Sequence, residues 1–102
     1  MIKIINGRKY STETAIPLAY WENMDYAYDY NWASETLYRK RTGEFFLFCE
    51  GGAGTRYANC KADRTRTAGK CILPLSDQEA FEWASEKLSG EKVEEIFGSI
   101  PE

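Results

Sequence analysis

The chain has 102 residues, with 13 Lys and Arg against 16 Asp and Glu and no histidine, which is the size of one small domain spanning residues 1–102. Its 43% apolar content can build a hydrophobic core and excludes a disordered or collagen-like chain. Without imidazole the commonest general base, the Ser-His and Cys-His nucleophile pairs and every zinc site needing a His ligand are gone, so neither a cofactor nor most enzyme classes are expected.

In chain order, Ile2 to Ile5 and Arg8 to Tyr10 flank Asn6-Gly7, a dipeptide that accepts positive φ at both turn positions, and predict a hairpin. The start Met1-Ile2-Lys3-Ile4-Ile5 is too short in apolar residues for a signal-peptide core, and no later stretch approaches the ~20 apolar residues of a membrane span. A soluble, cytoplasmic chain with no membrane partner is the expectation. Ser11-Thr12-Glu13-Thr14 carries N-cap chemistry and predicts the start of a short helix, with Pro17 limiting it.

Between residues 20 and 32, aromatics at Tyr26, Tyr28, Tyr30 and Trp32 alternate with polar or small residues, a period of two that would set the rings on one face of an extended segment. With Trp21, these rings either roof the core or form a platform for bases or a protein partner. Thr36 to Arg41 and Glu44 to Cys49 predict a second hairpin around Thr42-Gly43, with Leu37 and Arg39 on one face. Phe45-Phe46-Leu47-Phe48 is apolar on both faces and should be the central strand, with the aromatic run a candidate cover.

Gly51-Gly52-Ala53-Gly54 reads as a turn, because neither Gly-Lys-Ser/Thr nor G-x-G-x-x-G is present to make it a phosphate loop. Residues 56–70 hold five basic side chains against Asp63 and read as a long mobile loop. Lys70 to Pro74 predicts a short strand. Ser76-Asp77-Gln78-Glu79 is a capping box opening a helix whose buried face carries Ala80, Phe81, Ala84 and Leu88, with Trp83 at its margin. Gly90 reads as its stop, and Val93, Ile96 and Phe97 as a further short helix ended by Gly98. The fold expected is α+β: a small antiparallel sheet of two hairpins plus a short strand, with C-terminal helices packed on one face. Cys49, Cys60 and Cys71 lie eleven apart without a C-x-x-C pair, so reduced thiols are expected and no metal site.

Two kinds of chemistry remain. A histidine-free ribonuclease could draw on Arg39, Arg41, Glu44, Arg56 and Tyr57, since RNA supplies its own nucleophile. The charge is also divided: residues 1–75 carry 11 basic and 8 acidic side chains, a net +3, whereas residues 76–102 carry 2 and 8, a net −6. Glu82, Glu86, Glu91, Glu94 and Glu95 thus form an acidic end suited to a basic groove on a partner. Arg39, Lys40, Arg41, Arg56, Lys61, Arg64 and Arg66 form the candidate RNA-binding surface.

The segments Thr36-Leu37-Tyr38-Arg39, Gly43-Glu44-Phe45-Phe46-Leu47, Glu50-Gly51-Gly52-Ala53, Tyr57-Ala58, Pro74-Leu75-Ser76 and the helix from Glu79-Ala80 to Trp83 resemble small proteins of plasmids, phages and conjugative elements of Gram-positive bacteria, among them type II anti-CRISPR proteins. The likeness covers roughly residues 36–58 and 71–98. It implies a non-catalytic inhibitor that binds a CRISPR effector nuclease or its guide RNA and takes no small-molecule substrate. The acidic end would suit the effector's positively charged channel, and the basic residues would suit guide-RNA phosphates. An RNA-binding or RNA-cleaving protein is the alternative.

Overall fold

In the computed structural model, which describes residues 1–24, 26 and 29–102, a four-stranded antiparallel sheet is covered by two helices on one face and by a two-stranded ribbon on the other. The ribbon comes first. Strands β1 (Ile2–Ile5) and β2 (Arg8–Ser11) pair in the register Ile2 to Ser11, and their turn has φ of 52° at Asn6 and 75° at Gly7, the geometry Asn-Gly allows. The helix expected at Ser11 is a single turn instead. Ser11 Oγ accepts from the Glu13 amide at 3.1 Å and the Ser11 carbonyl from the Ala15 amide at 3.1 Å, after which the chain enters strand β3 (Ile16–Glu22). Pro17 fits there because β3 is an edge strand, and the pairing with β4 shifts between Pro17 and Ala19.

Strands β4 (Ala33–Arg39) and β5 (Phe45–Gly51) form the second expected hairpin, closed by Lys40 to Gly43 with Gly43 at φ 97°. A short ribbon of β6 (Asn59–Cys60) and β7 (Arg66–Thr67) follows, then β8 (Gly69–Leu75). The sheet order is β3-β4-β5-β8, so β5 is internal, as its doubly apolar sequence requires. The segment expected as a featureless loop is therefore a small hairpin. Its tip is tied by Lys61 N–H to Thr65 O at 2.8 Å and by Asp63 Oδ1 accepting from the Thr65 amide at 2.9 Å.

Helix α1 (Asp77–Lys87) opens on the predicted capping box, Glu79 N–H to Ser76 Oγ at 3.1 Å and Ser76 N–H to Glu79 Oε1 at 2.8 Å. The Ser76 amide on the ionised carboxylate, with the Ser76 hydroxyl beside it, holds the Glu79 pKa below its ordinary value. Gly90 is not the stop. The helix ends at Leu88 in extended conformation, Ser89 caps the next helix by accepting from Lys92 N–H at 3.2 Å, and Gly90 is the first residue of α2 (Gly90–Phe97). Gly98, at φ 89°, ends α2 as expected.

Alternation divides the sheet side chains between two cores. Leu37, Phe45, Leu47 and Cys49 face the helices and pack with Ala80, Trp83, Ala84 and Val93. Trp83 is at the centre of this layer, 8% exposed, rather than at its margin. On the other face Phe46 and Ile72 meet Tyr10, with the Phe46 ring parallel to Tyr38 at 5.1 Å and edge-on to Tyr10 at 5.6 Å. Among the described residues, the cover on this side of Phe46 is the N-terminal ribbon rather than the aromatic run.

The glycine loop after β5 is zipped to the end of the aromatic run, Gly52 N–H to Trp32 O at 2.8 Å and Gly54 N–H to Tyr30 O at 2.9 Å. These amides are engaged by backbone rather than presented to an anion. A Cβ at Gly52 would collide with the carbonyl oxygens of Asp29 and Tyr30. Gly52→Ala is expected to destabilise the fold by about 2 kcal/mol, the cost of forcing backbone apart at a packed site. An unchanged urea midpoint would contradict this close approach.

Candidate functional site

The one deeply buried carboxylate among the described residues is Glu35, 6% exposed in mid β4. It shares a face with Leu37, so its side chain enters the helix-facing core. Trp83 Nε1–H donates to Glu35 Oε1 at 2.7 Å, the Tyr57 hydroxyl donates to Oε2, and Arg56 Nη2 lies 3.7 Å from Oε2. Arg56 also donates to the Tyr57 oxygen at 2.8 Å. The cluster joins β4, α1 and the loop after β5. Desolvation, then the Glu35 and Cys49 neighbours, raise the Tyr57 pKa; burial pushes the Cys49 thiol up to about 12. Above it opens a cleft of about 580 Å³, bordered by Trp21, Asn31, Arg56, Glu86 and Lys87. With two donors and the Arg56 guanidinium already on Glu35 and a phenol that resists ionisation, the cluster acts as a brace between the layers.

Of the residues considered for ribonucleolysis, Arg56 and Tyr57 belong to this cluster. Arg39, Arg41 and Glu44 lie toward the β4–β5 turn, and Arg39 is four residues from Glu35 along β4, about 13 Å of strand. The five do not form one site. Glu35 is the member that sequence reasoning missed, although its place two residues before Leu37 on the same strand face was a readable signal.

The basic residues fall into two groups. At the β4–β5 turn, Arg41 is exposed, Arg39 lies over the Phe45 ring at 5.9 Å, and Lys40 lies over Tyr10 at 4.4 Å and 3.6 Å from Glu44. Arg8 also reaches Glu44, at 3.6 Å, so the first hairpin turn adds Arg8 and Lys9 to this basic tip. Beyond the opposite end of β5 are Arg56, Lys61, Arg64 and Arg66. Lys61 and Arg64 are exposed, whereas Arg66 donates to the carbonyls of Ala53 and Thr55 at 2.8 and 2.9 Å and holds the glycine loop.

Among the described residues, the rings of the aromatic run do not share one environment. The chain leaves β3 at Glu22 and folds back, with Asn23 bridging to Asn31 O at 2.8 Å and from Ala33 N–H at 2.9 Å. Trp32 is buried and donates to Glu22 Oε2 at 2.9 Å. Trp21 packs toward the helices under Lys87 Nζ, 4.0 Å from its ring centre. Tyr26 and Tyr30 are exposed, and Tyr28 lies outside the described residues. Among the described rings, Trp21 and Trp32 are turned toward the protein while Tyr26 and Tyr30 face solvent.

The acidic end is the most uniform surface. Glu82, Glu86, Glu91, Glu94 and Glu95 are all exposed. At 3.6 residues per turn, Glu82 stands opposite buried Ala80 and Ala84 on α1, and Glu91 and Glu95 opposite buried Val93 on α2. Among the described residues the helical layer has one ion pair, Lys92 to Glu95 at 3.4 Å. Glu94 accepts from Ile100 N–H at 2.8 Å and Glu82 from Gln78 at 3.0 Å. Among the described residues no helix is long and apolar enough to cross a membrane. Comparison with protein-family models, curated proteins and solved structures gives no match.

Proposed function

We propose that this protein is a non-catalytic inhibitor of a type II RNA-guided nuclease, which it blocks by docking its acidic helical face on the positively charged channel that holds the effector's nucleic acids. The observation that carries this reading is the outward row of Glu82, Glu91 and Glu95 with Glu86 and Glu94 beside it, carboxylates that two short capped helices hold at fixed spacing against only Lys87 and Lys92 in residues 76–102. Complementary charge of this kind speeds encounter and rejects wrong partners. The split of net charge, +3 against −6, supports the same reading.

The test incubates the protein with guide RNA and target DNA, with and without each of a panel of type II effectors, and runs native and denaturing gels. Expected are intact RNA, reduced target cleavage and a shifted effector band. The triple variant Glu82→Lys/Glu91→Lys/Glu95→Lys should restore cleavage. Shortened RNA, or normal cleavage by every effector, would overturn the proposal.

A second reading is favoured by the convergence of two turns distant in sequence at one basic tip. There Arg8, Lys9 and Arg41 are exposed around Glu44, an arrangement suited to RNA phosphates. Binding through it should weaken with salt, the logarithm of affinity falling by about 0.7 per phosphate contacted for each unit of log salt. Affinity insensitive to Arg8→Glu/Arg41→Glu would remove this reading.

A further inference from the structure

Cys49 and Cys71 stand directly opposite one another in the β5–β8 ladder. Directly paired residues of antiparallel strands point to the same face, with Cα atoms about 4.5–5.5 Å apart, inside the roughly 4.4–6.8 Å span that a disulfide bridges. Both are free thiols in this structure. Cys49 is fully buried beside Tyr57, while Cys71 is half-buried on the edge strand, where a small oxidant can reach it. Cys60 is exposed on β6 and belongs to a different ribbon.

We infer that Cys49 and Cys71 form a disulfide site, closed by a low-molecular-weight disulfide of the glutathione class, that staples edge strand β8 to β5. The Cys71 thiolate attacks one sulfur of the oxidant, forming a mixed disulfide and releasing one small thiolate. Cys49 then loses its proton and attacks the Cys71 sulfur, expelling the second small thiolate. The two protein thiols are oxidised, the oxidant is reduced to two thiols, and the two protons released from the cysteines end on those thiols. Burial pushes the Cys49 thiol up to about 12, which makes the second step the slow one.

The ring so closed contains the glycine turn, Arg56, Tyr57 and the β6–β7 hairpin. The bridge therefore ties down the base of the loop that supplies two members of the Glu35 cluster. Because the site lies on β5 and β8 rather than on the acidic helices, this inference is independent of the proposed effector docking.

The experiment uses the full chain with Cys60→Ser, to remove the exposed competitor, and titrates it with oxidised against reduced glutathione. Expected is a product lighter by two hydrogens, with neither Cys49 nor Cys71 open to alkylation after denaturation without reductant. The melting temperature should rise by about 10 °C and return on reduction. Cys60→Ser/Cys71→Ser should show neither change. A persistent glutathione adduct on Cys71, or two alkylatable thiols under the most oxidising conditions, would overturn the inference. Should Cys60→Ser fold poorly, peptide mapping of the oxidised wild-type chain reads the same pairing.

Discussion

Glu35→Ala should lower stability by about 2–5 kcal/mol, the cost of leaving two buried donors without their acceptor. The cost arises from what remains. Trp83 Nε1–H loses its acceptor and the Tyr57 hydroxyl loses its own, whereas the Arg56 guanidinium, 73% exposed, is left to water. Glu35→Gln keeps the volume but sets an amide N–H₂ against donors, so it should cost about half as much. Urea unfolding followed by Trp fluorescence reads both values, and a loss below about 1 kcal/mol for the alanine variant would contradict the bracing role. The same cluster sets an alkaline limit. Folded Tyr57 and Cys49 both have raised pKa values, so the folded state binds more protons than the unfolded chain at high pH. Their contribution is complete below about pH 9 and is lost as pH rises through the folded values. Tyr57→Phe should flatten that decline.

Phe46→Ala should cost about 3–5 kcal/mol, by a different mechanism. Phe46 is wholly buried, and its ring joins Tyr38 of the sheet to Tyr10 of the ribbon. The first hairpin is too small to be stable alone and is held to the sheet through this cluster. Amide exchange at Ile5 and Tyr10 should therefore speed up more than exchange in α1. Equal changes in both would mean that the ribbon is held by something other than Phe46.

Local chemistry explains which elements were readable in the sequence. Asn6-Gly7, the capping box at Ser76 and Glu79, and the Phe45 to Phe48 run each impose a conformation through their own atoms, and each stands where the sequence put it. The α+β arrangement with helices after the strands follows from them. Other features depended on partners distant in sequence. Ser11 makes cap bonds for one turn, but Ile16 to Glu22 gain more by pairing with β4 than by continuing a helix. Gly90 has the chemistry of a terminator, but Ser89 supplies a cap that starts α2 at that residue. Trp83 is drawn into the core by Glu35, which lies 48 residues earlier. The alternation of residues 26–32 fits a strand or an extended loop, and the bonds by which Asn23 ties Asn31 and Ala33 back to the end of β3 leave no mark in that periodicity. The acidic face, by contrast, was legible in full, since exposed carboxylates on short capped helices need only the helical period to be placed.

The most direct test of effector docking through that face is a binding titration of a purified type II effector with the wild-type protein and with Glu82→Lys/Glu91→Lys/Glu95→Lys, at two salt concentrations. These residues are exposed, so circular dichroism should show the same fold for both. Docking through the acidic face predicts wild-type binding that weakens with salt and competes with guide RNA, and a loss of at least about 30-fold in the triple variant. Equal affinity of the two proteins, or binding indifferent to salt, would contradict it.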